Sequence, residues 1–353
     1  MSLTHLSLSN VRCIESAELT IPEGLALLWG PNGSGKTSVL EAIYILGRGR
    51  SFRIRNSERL IRYGQAQLRV IGQITGPLGD IRTLGVEVSR TGSTARIAGR
   101  PADSLAELSS AFAVQVIDPG VHRLVEEGGY RRRRWMDWAV FHVEPQFVET
   151  WLRYMRTVKQ RNAALKLHPE HAVAWDPELA RLGESIATYR GRFVEALQPY
   201  WREEVVALSG LDVELHYQRG WSQEHTLEEA LVASRARDGV RHLTHAGPHR
   251  ADVALRLHGR RARDLLSRGQ QKLVAIAMTL AQLRLLQHVS NLVPTLLLDD
   301  PAAELDGDHL QRFIARVALL RCQRVVTSLH AESRLFGAPD RTFCVERGRV
   351  QPL

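Results

Sequence analysis

The stretch that decides the fold is Gly30-Pro31-Asn32-Gly33-Ser34-Gly35-Lys36-Thr37-Ser38. It follows a short apolar run, residues 25–29, and precedes apolar residues at helical spacing, which Gly47 is predicted to terminate. Its glycines, lysine and threonine match the pattern G-x-x-x-x-G-K-[ST]. The sequence therefore predicts a strand, a glycine-rich loop and a helix. The backbone N–H groups of the loop and of the helix N-terminus would converge on a phosphate.

The residue types of this loop suit a nucleoside triphosphate with Mg²⁺. Glycine permits positive φ and a close approach of backbone to phosphate. Lys36 is predicted to reach the β- and γ-phosphates and to act in catalysis, and Thr37 to offer its hydroxyl to the metal. An ordinary glycine turn before a helix is the alternative. The predicted nucleotide-binding residues are Gly30, Pro31, Asn32, Gly33, Ser34, Gly35, Lys36, Thr37 and Ser38.

Two adjacent aspartates follow a second apolar run, Leu296-Leu297-Leu298. Asp299 is predicted to hold Mg²⁺ directly or through water, and Asp300 to orient the attacking water. Carboxylates directly after three leucines are costly to place near a core unless they have partners. A surface turn is the alternative to this predicted hydrolytic site.

A third motif, Leu265-Leu266-Ser267-Arg268-Gly269-Gln270-Gln271-Lys272, opens a long predicted helix with Ser267 as its N-cap. An ordinary capped helix without a binding role is one interpretation of this motif. The motif also resembles the signature of the ABC-type ATPase superfamily, Leu-Ser-Gly-Gly-Gln, with Arg268 in place of its first glycine. That resemblance implies that Ser267, Gly269 and Gln270 contact nucleotide held by an opposite subunit, so that homodimerisation depends on ATP.

A closer resemblance, over essentially the whole chain, is to the RecF family of bacterial DNA replication and repair proteins. It implies an α/β fold: an ABC-type P-loop ATPase head with an antiparallel β subdomain and an inserted α-helical arm domain. The segments that carry it are Leu8-Ser9-Asn10-Val11-Arg12, the loop 30–38, Tyr130 to Trp138, Thr244 to Asp252 with its Gly-Pro-His-Arg, residues 265–272, and Leu298 to Asp306.

This resemblance also implies a function. The expected activity is an ATP-dependent clamp on DNA, favouring double-stranded DNA and single-strand gap junctions. It would assist recombinase loading in gap repair and SOS induction, with RecO and RecR as partners. A weak DNA-dependent ATPase would serve as the switch, and its turnover is expected to be slow because Asp300 is one methylene shorter than the superfamily's usual glutamate.

Three further residues have predicted roles at the nucleotide, two of them, Gln115 and His330, only through the resemblance. Gln115 resembles the Q-loop glutamine that links the nucleotide to the arm, and a buried or strand-edge glutamine is the alternative. His330 resembles the switch histidine that senses the γ-phosphate, and a capped surface residue is the alternative. Asp306 would contact the neighbouring subunit at the nucleotide.

The charge is unusual in both composition and location. The net charge is +9, and only four of the 47 lysine and arginine residues are lysines. Basic residues concentrate in segments 48–69, 122–166 and 241–272. GC-rich codon usage would explain the arginine excess but not its segregation, which predicts a surface for a polyanion, nucleic acid above all.

Two groups of arginines are the predicted DNA contacts. The first follows the nucleotide helix in alternating pairs that would share one side of an extended chain. The second is consecutive, so at helical spacing about two of its members can face one partner, and a solvated face is the alternative. The residues are Arg48, Arg50, Arg53 and Arg55 in the first group, and Arg131, Arg132, Arg133 and Arg134 in the second.

The coarse organisation is an α/β domain split by a helical insertion. The predicted domains are residues 1–128 (first part of the head), 129–208 (arm) and 209–353 (second part of the head). The longest apolar run, 273–281, is shorter than the ~18 residues that span a bilayer, so no membrane partner is expected. Without a secretory signal, and with three cysteines that lack metal-ligand spacing, the predicted location is the cytoplasm.

Other classes share parts of these patterns. A transporter nucleotide-binding subunit would have the ATP site, but the arginine-containing insertion would be unexplained. A P-loop kinase or other metabolic phosphotransferase would have no use for residues 267–270. A structural ATPase of the SMC type needs an extended coiled coil, and the insertion is too short and too interrupted by proline for one.

Overall fold

The computed structural model describes residues 1–54, 56–76, 79–102, 104–290 and 292–353. The strands are β1 (Ser2–Val11), β2 (Ile14–Thr20), β3 (Leu25–Trp29), β4 (Gln67–Thr75), β5 (Ile81–Ser89), β6 (Gly92–Ile97), β7 (Arg100–Pro101), β8 (Val114–Ile117), β9 (Glu214–Gln218), β10 (Asp252–Leu257), β11 (Arg260–Arg261), β12 (Thr295–Leu298), β13 (Gln323–Ser328), β14 (Arg341–Glu346) and β15 (Arg349–Pro352). The α-helices are α1 (Lys36–Arg48), α2 (Leu105–Ala111), α3 (Arg123–Glu126), α4 (Gly129–Val143), α5 (Phe147–Leu167), α6 (Asp176–Ser209), α7 (Leu227–Arg241), α8 (Ala262–Leu265), α9 (Arg268–Ser290), α10 (Pro301–Glu304) and α11 (Gly307–Ala318). Short 3₁₀ helices span Ser57–Leu60, Pro169–Trp175 and Pro248–Arg250.

The chain divides into two compact units. The first combines Met1–Val121 with Asn291–Leu353, and the second is His122–Ser290. The predicted domains, 1–128, 129–208 and 209–353, are defined as segments of a head and an arm. They differ from these compact units in their bounds, and the division into head and arm stays a prediction.

The first unit contains two six-stranded sheets. One is antiparallel, in the order β2-β1-β4-β5-β6-β7, and the other runs β15-β14-β3-β13-β12-β8 with parallel pairing everywhere except the β14–β15 hairpin. Helix α1 contacts strands of both sheets, and one apolar core includes all three. A helix enclosed in this way is buried on nearly every side, which explains its run of apolar residues. The predicted α/β class with an antiparallel β part is confirmed.

The end of α1 differs from the sequence prediction. The helix continues through Gly47 to Arg48, and Gly49 is the left-handed C-cap with φ 63°. Gly47 is required for a different reason, because a Cβ there would lie 2.5 Å from the carbonyl oxygen of Phe112. Gly47 is thus required by close packing, and Gly49, two residues later, provides the cap.

The second unit is mainly helical and also holds the three-stranded sheet β11-β10-β9. Helix α9 packs against α6, the 34-residue helix of the insertion, and against α3 and α4. The predicted long helices of the insertion and of the signature segment are confirmed. The sequence interpretation missed α7, although Thr226 and Glu229 form a capping box at its start.

One helix of the described chain, α9, is long and apolar enough to cross a membrane by length and composition alone. However, 72% of its most apolar 18-residue window is buried inside the protein. The core helix of a folded domain meets the same criteria, so the hydropathy of α9 is weak evidence for a span.

Gln323 of β13 joins the two sheets of the first unit. Its side-chain oxygen accepts hydrogen bonds from Leu3 N (2.9 Å) and Thr295 Oγ1 (2.7 Å). Its amide nitrogen donates to the carbonyl oxygens of Leu3 and Pro22, each at 2.7 Å. Because Gln323 is 1% exposed, water cannot replace these bonds.

We therefore expect Gln323→Leu to destabilise the protein by about 3 kcal/mol, since each buried polar group left unpaired costs about 1–3 kcal/mol. Equilibrium unfolding in urea measures the change. The matched control is Gln351→Leu, at an exposed position of β15, which should remain within about 0.5 kcal/mol of the parent. Equal effects of the two substitutions would contradict the role given to Gln323.

Candidate nucleotide site

The glycine-rich loop connects β3 to α1 and depends on glycine at three positions. Gly30, Gly33 and Gly35 have φ of 152°, 76° and 117°, which L side chains rarely adopt. A Cβ on Gly30 would also lie 2.0 Å from the carbonyl oxygen of Val345. At Gly33, by contrast, a Cβ would meet nothing within 4 Å. The loop is therefore packed tightly against β14 on one side and open above Gly33.

Lys36 begins α1 and folds back over the loop. Its Nζ donates hydrogen bonds to the carbonyl oxygens of Gly30 (2.6 Å) and Pro31 (3.0 Å). Burial lowers the pKa of Lys36, an effect that the nearby carboxylates of Asp300 and Asp299 oppose. The ammonium group is thus held inside the loop, where the phosphates of a nucleotide would lie.

Ser34 supplies an independent sign that the loop accommodates a ligand. Its side chain is 4% exposed, and its Oγ has no hydrogen-bond partner within the described chain. A buried hydroxyl without a partner is costly. A phosphate oxygen in the loop would satisfy it, so the residues present fit a bound triphosphate.

Thr37 and Asp299 meet at the carboxyl end of the parallel sheet. Thr37 Oγ1 donates to Asp299 Oδ1 at 2.9 Å, with Oδ2 at 3.2 Å. Adjacent oxygen ligands of an octahedral Mg²⁺ ion also lie about 2.9 Å apart, because each metal–oxygen bond is about 2.0–2.1 Å. The structure therefore brings the two predicted metal ligands to a separation that fits the ion.

Thr327 is a site residue that the sequence interpretation missed. It lies at the end of β13, fully buried, and its Oγ1 donates to Asp299 Oδ1 at 3.0 Å while it accepts from Asp300 N at 2.8 Å. One hydroxyl thus orients both aspartates. The sequence did offer a signal for Thr327: it lies near the end of a predicted strand, and in a parallel sheet the carboxyl ends of neighbouring strands meet at one edge.

Burial raises the pKa of both aspartates. For Asp299, hydrogen bonds from Thr37 and Thr327 and the charges of Arg53 and Lys36 act in the opposite direction. For Asp300, Lys36 opposes the effect of burial, whereas the negative charge of Asp299 adds to it. A carboxylate with a raised pKa is a stronger base toward water.

Asp300 has a left-handed backbone, with φ 48° and ψ 58°, directly before Pro301 and α10. Such a conformation is uncommon for a residue with a side chain and is concentrated at functional sites.

His330 lies two residues beyond the end of β13. Its side chain is exposed, and its backbone N–H donates to Ser328 Oγ at 3.1 Å. Its charge would lower the pKa of Asp300, so the structure brings His330 near the aspartate pair.

Gln115 is placed differently. It lies in β8, the edge strand of the parallel sheet, opposite Leu296, and is 7% exposed. Asp299 aligns beyond the end of that strand, with its N–H bonded to the carbonyl oxygen of Ile117 at 3.0 Å. This is the position expected of a buried edge-strand glutamine, and a catalytic role for Gln115 stays a prediction.

A buried carboxylate on α1, Glu41, is a second feature that the motifs did not reveal. Arg12 donates to both of its oxygens, at 2.8 and 3.1 Å. Ser51 also donates to Glu41, and the Ser51 Oγ accepts from the backbone N–H of Arg53 at 3.0 Å. The helix that carries Lys36 therefore positions the segment that carries Arg53.

In the second unit, Ser267 caps α9. Its Oγ accepts from Gln270 N at 3.3 Å and its N–H donates to Gln270 Oε1 at 3.0 Å, which is a capping box. Ser267 and Gly269 are exposed. The guanidinium of Arg268, for which the sequence indicated no role, lies 3.3 Å from His122 Nε2.

Asp306 also caps a helix. Its carboxylate accepts from His309 N at 3.0 Å at the start of α11, and this bond lowers the pKa of Asp306. The side chain is exposed, and its contact with a neighbouring subunit stays a prediction.

The first arginine group is divided by burial. Arg48 is buried and donates to Tyr44 Oη at 3.2 Å, whereas Arg53 is exposed and Arg50 is half-buried. Arg55 lies outside the described residues. Arg53 is the member that combines an exposed side chain with proximity to the nucleotide site.

The second arginine group begins α4, and its members face different partners, as helical spacing predicts. Arg132 is buried and donates to both oxygens of Asp252 at 2.9 Å. Arg133 donates to the Ala251 carbonyl oxygen, Arg131 to Glu127, and Arg134 lies over the ring of Tyr130. The structure therefore gives Arg132 a structural role, whereas Arg131, Arg133 and Arg134 are each half-buried.

The Gly-Pro-His-Arg segment has a structural role that the sequence left open. His249 Nε2 lies 2.9 Å from the Thr244 carbonyl oxygen, so it carries the proton, and Nδ1 accepts from Tyr154 Oη at 2.7 Å. Pro248 O accepts from the fully buried Arg190 at 2.6 Å. Burial lowers the pKa of His249 to about 4. The segment is thus anchored among the helices of the second unit.

Comparison with known proteins agrees with this geometry. The model of the RecF/RecN/SMC N terminal domain family matches residues 2–346. DNA replication and repair protein RecF of Pseudomonas paraeruginosa (strain PA7) is 39% identical over 359 residues, covering 99% of this chain and 97% of that protein. RecF of Pseudomonas putida (strain F1) is 40% identical over 361 residues, covering 99% and 98%.

Solved structures show the same fold. The recombination mediator protein RecF with ATP, in the RecFOR pathway, has a TM-score of 0.90 at 25% identity and covers 99% of this chain and 97% of that one. An Smc head bound to the C-winged helix domain of ScpA has a TM-score of 0.60 at 16% identity, with coverage of 100% and 98%.

These matches define the class as an ATPase head of the RecF and SMC type, whose ATP-binding domain implies ATPase activity. The chain belongs to the RecF/RecN/SMC N terminal domain family and, within it, to the RecF proteins of DNA replication and repair. Membership excludes the metabolic kinase and transporter alternatives.

The buried His249 predicts a pH dependence of stability. The unfolded chain binds a proton at this residue below about pH 6.5, whereas the folded chain does so only near pH 4. Stability from His249 is therefore complete above pH 6.5 and is lost as the pH falls toward 4, by about 3 kcal/mol.

The free energy of unfolding should fall less steeply over this range in His249→Gln, in which the amide can still donate to the Thr244 carbonyl oxygen. The exposed His171→Gln is the control and should follow the parent. Parallel curves for the parent and His249→Gln would contradict the assignment.

Proposed function

We propose that this protein binds ATP with Mg²⁺ in the loop of residues 30–38, dimerises on binding, and clamps DNA as a recombination mediator. The observation that carries the proposal is the convergence of Lys36, Thr37 and Asp299 beside the orphaned hydroxyl of Ser34. The relative whose solved structure contains ATP covers nearly the whole chain and supports the same ligand.

The roles of the loop residues follow from their positions. Lys36 binds the β- and γ-phosphates in exchange for its carbonyl partners, and Ser34 donates to a phosphate oxygen. Thr37 and Asp299 hold Mg²⁺, which neutralises charge that develops on the phosphates. Thr327 keeps the Asp299 carboxylate oriented toward this position.

Hydrolysis needs a positioned water. Asp300, with its raised pKa and a backbone fixed by Thr327 and Pro301, orients and activates that water, while His330 senses the γ-phosphate. Phosphoryl transfer depends mainly on positioning and electrostatics, so a side chain one methylene shorter than glutamate holds the water less well. Slow turnover suits a switch whose bound state must persist.

The dimer completes the nucleotide site. Ser267, Gly269 and Gln270 at the start of α9 contact the nucleotide of a second copy, and Asp306 contributes at the same interface. The capping box leaves Ser267 and Gly269 exposed, as this contact requires. ATP occupancy and DNA affinity are then reciprocally linked, because each favours the closed dimer.

The proposed DNA contacts are Arg50, Arg53, Arg131 and Arg134, with Arg55 kept as a sequence prediction. Arg48 and Arg132 are left out because they are buried, and Arg133 because its guanidinium donates to the Ala251 carbonyl oxygen. The ion pair of Arg131 with Glu127 is partly exposed, so DNA phosphate can compete for this guanidinium. Phosphate contacts of this kind make affinity depend steeply on salt and weakly on sequence.

The proposed partners are RecO and RecR, in recombinase loading at gaps and in SOS induction. Support comes from the relatives named for DNA replication and repair and from the solved relative placed in the RecFOR pathway. A weak, DNA-dependent ATPase in the cytoplasm is part of the same proposal.

The first test is DNA binding and sedimentation of the purified protein without nucleotide, with ADP and with ATP. We expect only ATP to produce the dimer and DNA retention, and Lys36→Met and Ser267→Arg each to abolish both. Arg349→Met and Ser93→Arg, at exposed positions outside the basic segments, are matched controls and should behave as the parent. A parent that binds ATP but stays monomeric and ignores DNA would overturn the clamp.

A second test addresses hydrolysis. Asp300→Asn should lower kcat by about 10²–10⁴-fold, the usual contribution of a positioned general base, with little change in ATP affinity. Steady-state phosphate release and nucleotide titration measure the two quantities. Asp308→Asn, an exposed change of the same type on α11, is the control. An unchanged kcat in Asp300→Asn would remove Asp300 from the catalytic set.

A further inference from the structure

A cavity of about 290 Å³ lies in the second unit, between the start of α4 and the strands β10 and β11. Its walls include four arginines, Arg132, Arg256, Arg261 and Arg263, and a single carboxylate, Asp252. None of the last three arginines belongs to the nucleotide site or to the DNA contacts proposed above. The cavity is therefore a strongly basic site without an assigned ligand.

The one carboxylate in the wall is already neutralised. Arg132 donates to both oxygens of Asp252 at 2.9 Å. Arg263 lies 3.3 Å from the exposed carboxylate of Asp264, a loose pair in water. The charges of Arg256 and Arg261 remain uncompensated among the residues that line the cavity.

The backbone holds these two arginines together. Arg256 and Arg261 are directly opposite each other in the antiparallel pair of β10 and β11. Like charges at opposed positions destabilise a sheet. Both side chains are exposed. Glu214 lies opposite Arg256 on β9 but pairs with His216, and no carboxylate of the described chain is within ion-pair distance of Arg256 or Arg261. An anion between them would convert the repulsion into attraction.

The opposite wall is built for close approach. Gly128 and Gly129 line it without side chains, and a Cβ on Gly129 would lie 2.8 Å from Asp252 Cγ. The volume equals that of about ten liquid waters, since each occupies about 30 Å³. It has room for a phosphate group with part of its sugar, and not for a duplex.

We propose that this cavity binds a phosphate group of nucleic acid between Arg256 and Arg261. A carboxylate offers two acceptor oxygens, the number that one guanidinium fork occupies, whereas a phosphate has enough oxygens to bridge two forks. The proposal rests on the DNA binding proposed above. It adds a phosphate contact on the second unit, at a site distinct from Arg50, Arg53, Arg131 and Arg134.

The first experiment uses inorganic phosphate as the probe, in a Lys36→Met background so that the nucleotide loop contributes little. Two variants are built on this Lys36→Met parent: one adds Arg260→Gln, and the other adds Arg256→Gln with Arg261→Gln. Phosphate should raise the melting temperature of the parent and of the first variant, but not of the second. Arg260 is the matched control because it is the neighbouring exposed arginine of β11 and does not line the cavity.

Without phosphate, the double variant should melt at about the same temperature as the parent, because the lost repulsion between the two arginines offsets the lost attraction between Arg256 and Glu214, its opposite residue on β9. This result separates loss of a ligand site from loss of the fold. The same phosphate-dependent increase in all three proteins would overturn the cavity as a phosphate site.

The second experiment uses chains with native Lys36, ATP, and a gapped duplex made with and without a 5′-phosphate at the gap. Arg256→Gln with Arg261→Gln should weaken binding about tenfold and reduce the salt dependence, the slope of log K against log[salt], by about 0.9, the value for one phosphate. Arg260→Gln should change both quantities far less.

The two DNA substrates distinguish the source of the phosphate. A loss confined to the phosphorylated gap identifies a strand end, and an equal loss on both identifies the backbone, and each supports the proposal. No loss, or an equal loss in Arg260→Gln, would overturn it. If phosphate stabilises the protein but the double variant binds DNA normally, the assignment of the phosphate to nucleic acid is overturned. If the parent binds no DNA, the function proposed above is overturned, and the phosphate experiment alone then decides whether the cavity is a phosphate site.

Discussion

Burial of the Asp299 carboxylate is the constraint on which the first unit depends. A carboxylate at 8% exposure is unfavourable unless donors surround it, and here Thr37 and Thr327 supply them. These donors follow or end two neighbouring parallel strands, β3 and β13, so the bonds hold the loop, the strands and the aspartate pair in one arrangement. The charge that Asp299 retains is then available to a metal ion, with its geometry set before any ligand binds.

The helix that carries Lys36 extends this arrangement toward the surface. Because α1 is enclosed by both sheets, a shift at its start must be accommodated by its other contacts. Glu41 is one of them, and through Arg12 and Ser51 it holds both the chain after β1 and the segment of Arg53. An exposed arginine that could contact a polyanion, Arg53, is thereby connected to the nucleotide-binding helix through the side chains of Glu41 and Ser51.

Buried ion pairs determine which basic residues of the second unit are accessible. Arg161, 1% exposed, pairs with Asp176 and Asp238, and Arg190 pairs with Asp137 while it also bonds the Pro248 carbonyl oxygen. Removing one partner of such a pair leaves an uncompensated buried charge, so these contacts organise the helices around the Gly-Pro-His-Arg segment. The positive charge that remains at the surface is smaller than composition suggests, and the exposed Arg256, Arg260 and Arg261 of β10 and β11 contribute to it.

Local sequence alone determined strand β3, the glycine-rich loop and the start of α1, the cap of α9 and the adjacent aspartates that follow β12. These features arise from interactions between residues a few positions apart, so glycine positions, caps and hydrophobic periodicity suffice to predict them. Only the tertiary structure decided that Thr327 orients the aspartates, that Gly47 is a packing glycine, that Arg48 and Arg132 are buried, and that Arg256 faces Arg261. Each of these depends on which distant segments pack together, and burial and charge compensation are properties of that packing, which no spacing along the chain encodes.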